Sequence, residues 1–109
     1  MEYNPRVQGP EFDGFTWDAE KSERCYQDRG FDFEYAVQVF EGDLIEWEDR
    51  RRDFGEQRFV TVGQVDGKVL AIVWTPRSNL RRIISARPAS RSERDRFNAT
   101  REANRQGDP

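Results

Sequence analysis

At 109 residues the chain has room for one small domain and no second one. Charged residues make up 36% and hydrophobic ones 35%, so a small core must lean on the 13% that are aromatic. With no histidine and a single cysteine, Cys25, the usual zinc sites, an internal disulfide and Ser-His-Asp or Cys-His catalysis are excluded.

The first residues, 1–11, hold two prolines and a glycine without periodicity and read as a flexible extension. They carry no basic stretch followed by an apolar one, so no secretory signal is expected and the chain reads as cytoplasmic. Phe12–Trp17 reads as a short strand with aromatics on alternate sides. Asp18 is a helix N-cap, and the spacing predicts a helix over Ala19–Arg29 stopped by Gly30. Asp32 caps a second helix, Phe33–Glu41, in which Phe33, Ala36, Val37 and Phe40 form one apolar stripe.

The middle is β-like. Leu44–Glu48 is a strand followed by an almost wholly charged loop, 49–56. Gln57–Val65 and Lys68–Thr75 flank Asp66-Gly67, the strongest short-range hairpin signal in the chain. The longest apolar run, Val69 to Trp74, has six residues, against about 20 for a membrane span. After a turn at Pro76–Asn79, Arg81–Arg87 is the next strand. Ser90 and Glu93 make a capping box for a last helix, Arg91–Asn104, docked by Phe97 and otherwise basic. The expectation is an α+β fold: a small, largely antiparallel sheet with two N-terminal helices and one C-terminal helix. Its parts are the extension 1–11, a single domain over 12–105 and a tail over 106–109.

Charge is unevenly placed. Residues 1–76 carry a balance of −8 and residues 77–109 one of +5, giving the net −3. Such asymmetry points either to a basic surface for nucleic acid or to pairing between the halves. Of the 18 basic residues only Lys21 and Lys68 are lysine, and arginine's planar fork suits phosphates and buried carboxylates alike. A GC-rich genome would leave the same bias.

On the first helix, Ala19, Ser22 and Tyr26, with Trp17, are expected to face the core. Asp18, Lys21, Cys25 and Arg29 then fall at an edge, where capping and a surface ion pair are the plain reading. On the strand Arg81–Arg87, regular alternation puts Arg81, Ile83, Ser85 and Arg87 on one side and Arg82, Ile84 and Ala86 on the other. Carboxylates of the 41–56 segment could neutralise these arginines, or RNA phosphates could. Arg82 and Arg87 converge on one phosphate only if the strand bends between them. Arg91 and Arg94 belong to a helix face that is either simply solvated or a footprint for phosphates. Trp47 and Trp74 read as core aromatics.

The pattern Phe15-x-Trp17-Asp18-x-x-Lys21, Gly30-x-x-Phe33-x-x-Ala36-x-x-x-Phe40, Arg58-Phe59 and Arg82-Ile83-Ile84-Ser85-Ala86-Arg87-x-Ala89 resembles the BrnT family of toxins, over roughly residues 12–97. The resemblance implies a RelE-like toxin fold and RNA cleavage that arrests translation. It also implies neutralisation by a ribbon-helix-helix antitoxin that binds operator DNA, hence a hetero-oligomer. Trp17, Asp18, Lys21, Arg58, Arg82 and Arg87 occupy the family's motif positions. Where Cys25 stands the family commonly has Asn, where Asp28-Arg29 stands it has Lys-His, and at Phe97 it often has Tyr.

A ribonuclease mechanism without metal or other cofactor follows as a hypothesis: the ribose 2′-OH attacks the adjacent phosphorus in line, and cations stabilise the transition state. Arg87 and Lys21 are the first candidates for the phosphate, Arg58 and Arg82 the next, with Asp18 or Glu48 as base. Trp17, Arg91 and Arg94 are assigned to substrate binding. The alternatives are a catalytically weakened toxin-fold protein serving in a repressor complex, and a nucleic-acid-binding module using the last helix.

Overall fold

The computed structural model describes residues 12–106; the segment read as an extension, 1–11, lies outside them, as do 107–109. The elements run β1 (Gly14–Trp17), α1 (Ala19–Arg29), α2 (Phe33–Ala36), a 3₁₀ helix (Val37–Glu41), β2 (Leu44–Glu48), β3 (Phe59–Val65), β4 (Lys68–Arg77), β5 (Leu80–Pro88) and α3 (Arg91–Gln106). They form one five-stranded sheet in the order β1-β5-β4-β3-β2. β2 to β5 are antiparallel neighbours, whereas β1 lies parallel to β5. The α+β expectation therefore stands with a mixed sheet. β1 reaches β5 through the whole intervening chain, so no tight turn forces the two strands to run in opposite directions.

Local chemistry explains most boundaries. The Asp18 carboxylate accepts the N–H groups of Glu20 (2.8 Å) and Lys21 (3.2 Å), and Gly30 ends α1 at φ 83°. Asp66 (φ 52°) and Gly67 (φ 81°) take the two left-handed positions of the β3–β4 hairpin turn. β4 runs on to Arg77, and the next turn tightens to Ser78-Asn79, so Pro76 and Arg77 belong to the strand.

Two expectations about helix faces are corrected. In α1 the buried residues are Ser22 and Cys25, while Tyr26 is 54% exposed. The Ser22 hydroxyl accepts the Phe33 N–H (3.0 Å) and the Cys25 thiol donates to the Ala86 carbonyl (3.5 Å), which fixes that face inward. The second predicted helix tightens from α to 3₁₀ at Val37. At three residues per turn the inward positions become Phe33, Ala36 and Val39, leaving Val37 and Phe40 half-buried. Gly63 admits this turn, because a Cβ there would lie 2.9 Å from Val39 Cβ.

Each face of the sheet has its own core. One joins α1, α2 and the 3₁₀ helix to Leu70, Ile72, Trp74, Ile83 and Ala86. Trp74 is core as expected, and its indole N–H donates to the Thr61 hydroxyl, which donates to Glu46. The other core joins Phe97 of α3 to Ile45, Val60, Val62 and Ala71. At 1% exposure, Phe97 is the anchor expected for α3. Among the described residues, no helix is long and apolar enough to cross a membrane.

Candidate functional site

β5 carries one more residue than β4 opposite it: Val73 pairs with Ser85, and Trp74 with Ile83. The extra residue is Ile84, and such a bulge shifts the alternation by one. Ile83 and Ala86 consequently lie in the same core, under α1. Arg82, opposite Thr75, and Arg87, opposite Ala71, both point to the α3 side. The regular alternation expected for this strand is thus broken, at the bend that convergence of the two arginines required. They still do not meet. Arg82 donates to the Thr16 hydroxyl across the parallel pair (3.1 Å) and stands apart from the cleft that Arg87 lines.

That cleft, of about 540 Å³, lies where α3 leaves the sheet uncovered. Trp47, Val60, Val73 and Ile84 line it as an apolar floor, and Trp47 is only half-buried. Five guanidinium groups, of Arg50, Arg51, Arg52, Arg58 and Arg87, surround it, against the three carboxylates of Glu48, Asp49 and Glu93. The excess charge is positive.

Glu93 does two jobs. It completes the capping box, accepting the Ser90 N–H (2.8 Å) while its own N–H donates to the Ser90 hydroxyl (3.2 Å). It also receives Nη1 and Nη2 of Arg87 at 2.7 and 3.0 Å. Arg87 holds the Glu93 carboxyl down to about 2, with the Ser90 N–H adding to the effect, and the carboxylate in turn raises the guanidinium. The pair occupies one edge of the guanidinium. The other edge, Nε–H and the outer N–H of Nη2, makes no hydrogen bond among the described residues, and the side chain is 36% exposed. A guanidinium fixed along one edge offers the other as a preset two-donor fork for a phosphate.

The charged loop after β2 pairs mostly with itself. Glu48 takes Arg50 (2.8 Å), Asp49 takes Arg51 (2.8 Å) and Glu56 takes Arg58 (3.3 Å). Arg51 pulls the Asp49 carboxyl below its ordinary value. Glu48 and Asp49 therefore order their own loop, while Glu56 also reaches Arg77 of β4 (3.8 Å). Glu46 favours the charge of Arg81, so the 41–56 segment meets the expectation for Arg81 but not for Arg82 or Arg87. The Arg81 guanidinium also lies over the rings of Phe40 (4.3 Å), Phe12 (4.6 Å) and Trp74 (5.0 Å), and burial lowers its pKa. Arg52 and Arg58 both lie over the Phe54 ring, at 4.9 and 4.4 Å. Arg52 has no carboxylate partner among the described residues.

The other candidates are dispersed. Lys21 lines a second, smaller depression of about 190 Å³ beside α1, with Arg24, Asp28 and Arg29. Asp18 is engaged as the α1 cap, and Trp17 packs edge-on against Phe33 with centroids 6.3 Å apart. Arg91 is exposed, Arg94 donates to the Ala89 carbonyl (2.9 Å), and neither lines the large cleft. The structure thus brings together Arg58, Arg87 and Glu48, the last paired with Arg50, and adds Arg50, Arg51, Arg52, Phe54 and Glu93. Two of these additions, Arg50 and Arg51, were signalled by acids set two residues before them, Glu48 and Asp49. No group of three or more His, Cys, Asp or Glu among the described residues could hold a metal ion.

The family model described as "ribonuclease toxin, BrnT, of type II toxin-antitoxin system" matches residues 17–93. That span runs from Trp17 through the whole β-meander to Glu93, so the Arg87–Glu93 pair and the cleft loop fall inside it. No curated protein matches the chain. By this match the chain belongs to the BrnT family, the ribonuclease toxins of type II toxin–antitoxin systems, and as such it implies an antitoxin partner.

Proposed function

We propose that the cleft between β2–β5 and the start of α3 is a ribonuclease site that works without a metal. One observation carries the reading: Arg87 is braced by Glu93 through Nη1 and Nη2, keeps its Nε–H without a hydrogen-bond partner among the described residues, and lines a cleft with four further guanidinium groups. A nucleotide base lies on the Trp47–Val60–Val73–Ile84 floor, and the scissile phosphate meets Arg87 and Arg58. The ribose 2′-OH gives up its proton to water and attacks the adjacent phosphorus in line. The bond to the 5′ oxygen breaks, that oxygen leaves as a 5′-hydroxyl protonated from water, and a 2′,3′-cyclic phosphate remains. Negative charge grows on the phosphate oxygens along this path, and preset guanidinium donors stabilise it most where it is greatest. Asp49 and Glu93 are both held as anions by arginine. They are therefore weak bases, and positioning with charge stabilisation supplies most of the acceleration.

The biological setting goes with the family. Residues 12–105 act as one RelE-like toxin domain in the cytoplasm, cutting mRNA and arresting translation. A ribbon-helix-helix antitoxin neutralises the toxin and carries it to operator DNA in a hetero-oligomer. Expressed alone in bacteria, the chain should stop growth with loss of mRNA, and co-expressed antitoxin should restore it. The purified protein should leave cyclic phosphate ends in the presence of a chelator. The second reading, a weakened toxin kept as a repressor partner, draws on the engagement of every cleft carboxylate by arginine. Normal growth with intact mRNA would favour it.

A further inference from the structure

The two depressions meet at Ile84 and Ser85, which line both. β1 ends at Trp17, opposite Ile83, and from Ile84 onward β5 has no strand on that side among the described residues. The bulge falls at the same place, where a strand bends. The large cleft on the α3 side and the depression beside α1 therefore adjoin at Ile84 and Ser85, where no strand separates them among the described residues.

That second depression sets Lys21, Arg24 and Arg29 against one carboxylate, Asp28. All three cations are exposed, and none forms an ion pair among the described residues. At the crossing, the Ser85 side chain is half-buried and its hydroxyl has no hydrogen-bond partner among the described residues. Cations recurring on both sides of a narrow edge suit a flexible polyanion with evenly spaced charges.

Resting on the reading of the cleft given above, we propose that single-stranded RNA passes from the cleft over the β5 edge at Ile84–Ser85. Lys21, Arg24 and Arg29 are then a second phosphate subsite, for nucleotides flanking the one that is cut. Such contacts position the strand without reading its bases. They add affinity for long RNA and nothing for a substrate too short to reach them.

The test is binding of non-cleavable 2′-O-methyl RNA to the full chain purified free of antitoxin, comparing a long strand with a trinucleotide. Arg24→Ala/Arg29→Ala should weaken the long strand roughly tenfold and flatten its salt dependence by about 1.4 in log–log slope, as two lost phosphate contacts require. Trinucleotide binding should not change. A control, Lys68→Ala/Arg105→Ala, removes equal charge elsewhere and should show no such length dependence. Unchanged long-strand binding in the Arg24/Arg29 variant overturns the subsite, as does an equal loss in the control. If that variant loses antitoxin binding and keeps RNA binding, the depression belongs to the antitoxin and the proposal is wrong. Because the probe cannot be cut, failure of the ribonuclease reading would appear separately, as wild-type protein that leaves ordinary RNA intact.

Discussion

Arg81 and Arg87 are six residues apart on β5, a spacing that in a regular strand would put them on one face. The bulge at Ile84 sends them to opposite faces, where they meet different surroundings. Arg81 goes under the aromatic cover of Phe12, Phe40 and Trp74, and burial works against its charge. Arg87 goes to the side that α3 covers only in part, and a carboxylate holds it in place while leaving donors exposed. Pairing with an acid therefore does not by itself silence an arginine. Cover by aromatic rings withdraws more of it, as Arg81 shows: its Nε is buried without a hydrogen-bond partner, out of a ligand's reach.

This contrast between a closed and an open face can be tested by mutation. The largest effect on folding is expected for Phe97→Ala, which removes the anchor of α3. Such truncations lower stability by about 3–5 kcal/mol, and urea unfolding should show it together with loss of RNA binding, since α3 forms one wall of the cleft. On the closed face, Gly63→Ala forces a Cβ against Val39 and should lower stability by about 1–3 kcal/mol.

A smaller effect is expected for Glu93→Gln, roughly 1 kcal/mol at neutral pH because the pair is partly solvated. Its sign follows from the depressed carboxyl. The stabilisation is complete above about pH 4.5, the unfolded value, and is lost as pH falls towards about 2. Wild-type and variant stabilities should converge over that window, and urea titrations at several pH values would show whether they do. Smallest of all, Tyr26→Ala should stay within about 0.5 kcal/mol and Cys25→Ala should lose about 1 kcal/mol. The reverse order would restore the face of α1 expected from spacing.

Much of this architecture could be read from the chain because short-range chemistry sets it. Asp18 and Gly30 bound α1, Asp66-Gly67 makes the hairpin, and Ser90 with Glu93 opens α3; each depends on residues within a turn of one another. What stayed hidden depends on contacts distant in sequence. The Ile84 bulge arises from how β5 fits β4, and the change to 3₁₀ geometry at Val37 depends on the missing Cβ of Gly63. The parallel pairing of β1 joins residues more than sixty positions apart. The site follows the same division. Arg58 and Arg87 were legible as family motif positions, whereas the assembly of Arg50–Arg52 and Phe54 beside them required the loop's own ion pairs. Lys21, Arg82, Arg91 and Arg94, expected at the same site, lie outside the cleft.

The central claim is that the free edge of Arg87 grips the scissile phosphate. It is tested most directly by the rate at which Arg87→Ala cuts single-stranded RNA, measured with a chelator present and on protein shown by circular dichroism to be folded. The account predicts a loss of about 10²–10³-fold, the usual consequence of removing one preset donor to a charged transition state. Cleavage by the folded variant at the wild-type rate would contradict it.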